Sequence, residues 1–132
     1  MAGSISNAHE TSILTWSLSA SAVTRPTAWY IGLFTDASGI VNDQPITEAV
    51  TGVCPGYARQ QVTSWTISGS QAQNASAATF TATGAWSTVN YFAIFDAPAN
   101  GTMLYWGSIT GKTLANTDQL KFDINQITIN LD

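Results

Sequence analysis

The chain has 132 residues, 45% of them apolar and only 9% charged, with a formal net charge of −4. That length suits one domain with a sizeable core, and so rich an aromatic and β-branched content at low net charge excludes disorder. The four scattered cations (Arg25, Arg59, Lys112 and Lys121) exclude a nucleic-acid binder, no apolar run approaches the ~20 residues that span a bilayer, so no membrane partner is expected, and the lone Cys54 excludes a disulfide scaffold or zinc ribbon.

Uncharged polar residues fill the gap, with 13 Ser and 18 Thr. The N-terminus has no basic region followed by an apolar run, so no secretory signal is expected, and the Asn74-Ala75-Ser76 and Asn100-Gly101-Thr102 triplets are chance matches to the glycosylation pattern. Residues 7–18, NAHETSILTWSL, predict a short helix or ordered arm, with Asn7 as cap and Glu10 in the capping-box position. Ile13, Leu14, Trp16 and Leu18 give it an apolar face. Pro26 stops any helix through Arg25, so residues 1–27 form an N-terminal arm and residues 28–132 a β domain.

From Ala28 onward the period is that of strands. Residues 29–34 make a buried strand, and residues 35–56, with three acids, two Pro and three Gly, a long contact loop. Residues 57–67 alternate, with Val62, Trp65 and Ile67 apolar, and residues 75–81 form a strand centred on Phe80. Residues 89–95 carry Val89, Tyr91, Ala93 and Phe95 on one face and Phe92 and Ile94 on the other, the mark of a central strand. Asn100-Gly101 signals a hairpin into residues 103–109. Residues 120–122 and 127–131 follow, the last with Ile127, Ile129 and Leu131 inward. The fold class is all-β, an antiparallel β-sandwich or Greek-key barrel with a short N-terminal helix or arm.

Residues suited to chemistry are scarce. His9 is the only histidine and has no evident carboxylate partner, so it reads as solvated or capping. Asp96, Asp118 and Asp123 sit where turn chemistry accounts for them. Asp36 and Asp43 match no calcium-loop spacing, and phosphate-loop and dinucleotide motifs are absent. Cys54 reads as a small semi-buried residue. No enzymatic activity, cofactor or metal is expected. Trp29, Trp65 and Trp106 fall inside strand patterns and read as core, whereas Trp16, in the arm, and Trp86, after a Gly turn, read as interface anchors.

Taken in order, the strings Tyr30-Ile31-Gly32-Leu33-Phe34-Thr35, Gly56-Tyr57-Ala58-Arg59-Gln60, Asn74-Ala75-Ser76-Ala77-Ala78-Thr79-Phe80, Gly84-Ala85-Trp86-Ser87-Thr88-Val89, Phe92-Ala93-Ile94-Phe95-Asp96-Ala97 and Leu104-Tyr105-Trp106-Gly107 resemble a family of small virion proteins of tailed bacteriophages. Members are often labelled tail-fibre proteins, and related proteins act as capsid cement or decoration proteins. The resemblance covers residues from about 8 to 132, departs from the family's Gly-rich acidic loop at residues 38–55, and carries over no catalytic residue.

The resemblance implies a virion structural protein. The expected role is a capsid cement protein on the capsid surface, assembled in the bacterial cytoplasm, a homotrimer that bridges copies of the major capsid protein. The alternative is a tail-fibre or baseplate component, in one form with a sugar-binding surface. Ile13, Leu14, Trp16, Leu18 and Trp86 are the expected contact residues, and deleting residues 1–18 should abolish binding while leaving the β domain folded. With so few charges to screen, affinity for the partner should change little between low and high salt. A steep salt dependence in a binding titration would contradict that expectation.

Overall fold

The computed structural model describes residues 2–131. Ten strands and one α-helix follow in chain order: β1 (Ala2–Ile5), α1 (Asn7–Leu18), β2 (Trp29–Phe34), β3 (Gln60–Val62), β4 (Trp65–Ser68), β5 (Gln71–Asn74), β6 (Ala78–Thr81), β7 (Val89–Phe95), β8 (Met103–Lys112), β9 (Gln119–Phe122) and β10 (Thr128–Asn130). Eight strands form one sheet in the order β3-β2-β7-β8-β1-β10-β5-β4, and β6 and β9 form a second. Every pairing is antiparallel except β1 with β10. The fold is the expected all-β antiparallel class with one short helix.

The large sheet must roll. Its edge strands, β3 and β4, stand at opposite ends of the strand order, yet only Thr63 and Ser64 separate them in sequence. Three Cα steps reach at most about 11 Å, so the two edges face each other. They do not pair, and the roll stays open rather than closing into a barrel. Thr63 donates to Ser76 Oγ (2.9 Å) and Ala75 donates to the Ser64 carbonyl (2.9 Å), so the corner is held by the segment leading into β6. The alternation across residues 57–67 thus breaks into two strands at this corner.

The inner face of the roll carries the main core. Ile31, Leu33, Phe92, Ile94 and Leu104 meet Phe80, Leu120 and Phe122 from the small sheet there. Val89 also faces inward, with Phe92 and Ile94 rather than with Tyr91, because the β7–β8 register shifts between Val89 and Tyr91. The outer face holds a second cluster of Phe34, Ala93, Phe95 and Met103, covered by Ile40. The first part of residues 35–56 is therefore a lid on the sheet's back, while Ala49 and Cys54 further along join the main core. Thr35 donates to the Thr47 carbonyl and Ala49 to that of Leu33, which ties both ends of the lid's first half to β2.

A largely buried ion pair locks that lid. Arg59 grips Glu48 with two donors, at 2.7 and 2.8 Å, and gives a third to the carbonyls of Ala97 and Asn100. Its guanidinium lies 3.4 Å over the Phe95 ring. The Tyr57 hydroxyl donates to Glu48 (2.7 Å) and accepts from the Leu33 amide (3.1 Å). Burial first, and the Glu48 charge second, push this phenol far above its ordinary range, so it stays a donor. Gly32 makes room for the network: a Cβ there would sit 2.9 Å from the Phe95 ring and 3.1 Å from the Glu48 carboxylate.

Two strands have no counterpart in the sequence reading. β1 lies in the middle of the large sheet, with Gly3 opposite Gly107 of β8 on one side and Ile129 of β10 on the other. Deleting residues 1–18 would open the sheet there, contrary to the expectation that the β domain survives it. β5 fills the place read as a turn after Gly69. Leu131, expected inward with Ile127 and Ile129, is 44% exposed because β10 ends at Asn130.

Candidate interaction surface

Helix α1 is fastened at its start. Its cap is Ser6, one residue before the expected Asn7, with the hydroxyl oxygen accepting from the His9 amide (3.1 Å). Ser6 is buried, and its hydroxyl and amide both donate into β8, to the carbonyls of Met103 and Leu104. Asp43 reaches across from the lid and accepts from the amides of Asn7 (3.0 Å) and Ala8 (2.6 Å). A carboxylate here satisfies two orphan donors and complements the helix dipole. Asp43 is thus a capping group for the helix, and Asp36 accepts from the Ser38 amide, a bond that holds its carboxyl below the usual range. Asp96 and Asp118 serve turns in the same way, accepting from Thr102 and Ala115.

Because Asp43 has a left-handed backbone (φ 60°), Asn is the least disruptive replacement. Asp43→Asn keeps that conformation but loses the charge, and should cost about 0.5–1 kcal/mol; Asp43→Ala should cost about 1–2 kcal/mol. Urea unfolding followed by helical circular dichroism measures both.

His9 is half-buried, its ring edge-on to Tyr105 with centroids 5.0 Å apart. Burial holds the imidazole below its ordinary value of 6.5. The unfolded chain therefore takes up this proton more readily than the folded one. Stability is full above about pH 6.5 and falls as pH drops through that value toward the lowered one. Between about pH 7.5 and 5 the melting temperature of the native chain should drop more than that of His9→Gln. Equal drops would show a fully solvated ring.

The rest of the helix is scarcely covered. None of its residues is fully buried, and β8 is its principal strand neighbour. Thr11, Ser12, Thr15 and Ser17 turn their hydroxyls back to the carbonyls four residues earlier, so the polar side chains are satisfied within the helix. The large apolar ones are left largely exposed, Leu14 (57%) and Leu18 (81%) on one side of the helix and Trp16 (70%) on the side that borders the groove. Ile13 is half-buried and, with Trp16, His9, Arg25, Pro26 and Leu104, lines a groove of about 460 Å³. A 12-residue helix is marginal alone, and these exposed side chains add little to its hold on the domain.

Four of the five expected contact residues therefore share α1. Trp86 does not join them. It is a core residue, 3% exposed, with its indole N–H donating to the Pro55 carbonyl (2.8 Å) and its ring edge-on to Tyr57. A Trp after a Gly turn looks exposed in sequence, but here the turn folds it inward. Trp29, Trp65 and Trp106, read as core, are half-buried at the margins of the two clusters. The lid adds a second outward apolar set, Val41, Ile46, Val50 and Val53, which the expectation of a contact loop anticipated only as a region. The Asn7 side chain donates to the Val41 carbonyl (3.1 Å), so helix and lid are in direct contact. Cys54 is buried, and burial raises its thiol. Among the described residues no cluster of three potential metal ligands occurs, and no helix is long and apolar enough to cross a membrane.

Comparison with known families gives the setting of this β scaffold: the chain is a structural protein of a phage particle. It belongs to the family of the Podophage GP4 fiber I protein gp80, whose model matches residues 4–130. No individual curated protein matches the chain.

Proposed function

We propose that this protein is a fibre-type component of the phage particle that works by binding another virion protein, without catalysis. One observation carries the reading: Leu14, Trp16 and Leu18 stand 57–81% exposed on a helix whose own fold leaves them uncovered. Large aromatics and aliphatics in such a position become hot spots once a partner excludes water from them. The family's fibre label favours the tail as the location.

A second reading, a homotrimeric cement protein bridging copies of the major capsid protein on the capsid surface, has its own support. Two apolar sets, on α1 and at residues 41–53, are fixed relative to each other by the Asp43 and Asn7 contacts. A bridge between neighbouring subunits needs two such surfaces. Imaging the labelled protein in intact particles separates the readings. Label confined to the tail supports the fibre component, label over the shell supports cement, and particles without label refute both. The mass in solution tests the trimer.

A further inference from the structure

The rolled sheet has an opening at the end where β2, β5 and β8 begin and β7 and β10 finish. A pocket of about 310 Å³ lies there. Trp29, Trp65 and Tyr105 form its aromatic walls, and Ile67 (70% exposed) and Leu131 (44% exposed) stand at it largely uncovered. These residues come from or adjoin β2, β4, β8 and β10, so the pocket is a product of the roll, and it adjoins the groove beside α1, with which it shares His9, Arg25, Pro26 and Leu104. Trp65 also keeps a buried indole N–H with no acceptor, a cost of about 1–3 kcal/mol that packing of the domain alone does not require.

Charge singles out the same place. Arg59 is buried against Glu48, and Lys121 pairs with Asp123 at 3.1 Å. Among the described residues only Arg25 and Lys112 lack an acid partner. Arg25 lines both the aromatic pocket and the adjoining groove beside α1, whereas Lys112 lies in a polar depression on another part of the surface. Burial disfavours a charge on His9, which also lines the pocket, so Arg25 is the one permanent charge there.

We propose that this mouth receives a single aromatic or long aliphatic side chain from a partner segment that carries a carboxylate next to it. The volume is at the small end of ligand pockets, about 300–1,000 Å³, room for one side chain rather than a helix. The walls supply stacking and apolar area, while Arg25 supplies the counter-charge in a protein that is otherwise acidic. A sugar is a poorer occupant, because it needs several converging polar partners and the walls offer apolar rings. The proposal rests on the reading of the chain as a protein that works by contact, and adds the chemistry of a segment it captures.

N-acetyl-tryptophan, an indole bearing one carboxylate, is the probe, with N-acetyl-tryptophan amide as its uncharged twin and N-acetylglucosamine as the sugar control. The full chain is labelled with ¹⁵N, and its indole N–H signals are assigned with Trp29→Phe and Trp65→Phe. The acid should shift the Trp29 and Trp65 signals saturably. The amide, or Arg25→Gln with the acid, should bind about 2–5-fold more weakly, the worth of one exposed ion pair. Ile67→Glu, at an exposed position, should weaken the acid more than the amide. Trp16→Ser with Leu18→Ser should leave the shifts unchanged, so loss of particle binding in that variant with probe binding intact bears on the functional reading alone. Equal affinity for acid and amide would refute the carboxylate, and no saturable shift, or tighter binding of N-acetylglucosamine, would refute the pocket's assignment.

Discussion

Arg59→Met should destabilise the protein by about 3–5 kcal/mol, because it strands the Glu48 carboxylate in a place built for a charged partner. The Arg59 side chain is 5% exposed and that of Glu48 16%, so water reaches neither freely. The substitution also removes the donor shared by the Ala97 and Asn100 carbonyls and the cation over Phe95. The Tyr57 hydroxyl would still donate to the stranded carboxylate, which limits the damage without neutralising the charge. Adding Glu48→Gln to Arg59→Met should recover part of the loss, since a neutral amide is cheaper to bury than an unpaired carboxylate. Urea unfolding of the native, single and double variants gives the numbers. A single-variant loss under about 1 kcal/mol would show that solvent screens the pair, and the lid would then owe its position to Ile40 and its backbone bonds.

Trp16→Ser with Leu18→Ser should leave the fold nearly untouched and remove the partner. Both side chains are mostly in water, so stability should change by no more than about 0.5 kcal/mol. If each is a hot spot worth about 2 kcal/mol, the pair should weaken binding about 1,000-fold. The measurement is incorporation of purified variant into particles that lack the protein, with unfolding curves run alongside. Undiminished incorporation would move the contact to the lid, where Ile46→Ser with Val50→Ser is the corresponding variant.

The strands that announce themselves in the sequence are those whose own side chains fill the core. Residues 29–34 and 89–95 are dense in aromatic and aliphatic groups, and they form β2 and β7 with those bounds. β1 and β5 read AGSI and QAQN, which carry no strand signal of their own. They are strands because neighbours on both sides offer hydrogen bonds, a tertiary effect that local propensity does not record. The same holds at the surface. The apolar spacing at residues 13–18 is enough to choose Leu14, Trp16 and Leu18, whose exposure then follows from the helix touching little besides β8. Trp86 could not be placed from sequence because its burial depends on Pro55, far away in the chain, accepting the indole proton. Arg59 likewise looks like one of four scattered cations until the lid folds Glu48 onto it.

The position of β1 bears on the order of events when the chain folds. Gly3 pairs with Ile129, so segments near opposite ends of the sequence must meet to complete the middle of the sheet. Loop closure over such a span is slow compared with forming the β7–β8 hairpin. Until it happens, β8 has one edge unpaired and the β4–β5–β10 unit another, both with backbone groups open to any passing strand. On a ribosome, β1 emerges before its neighbours and waits for β8 and then β10 before it has partners on both sides. Aggregation during refolding should therefore depend steeply on protein concentration and rise when residues 2–5 are made unable to pair, as with Ser4→Pro.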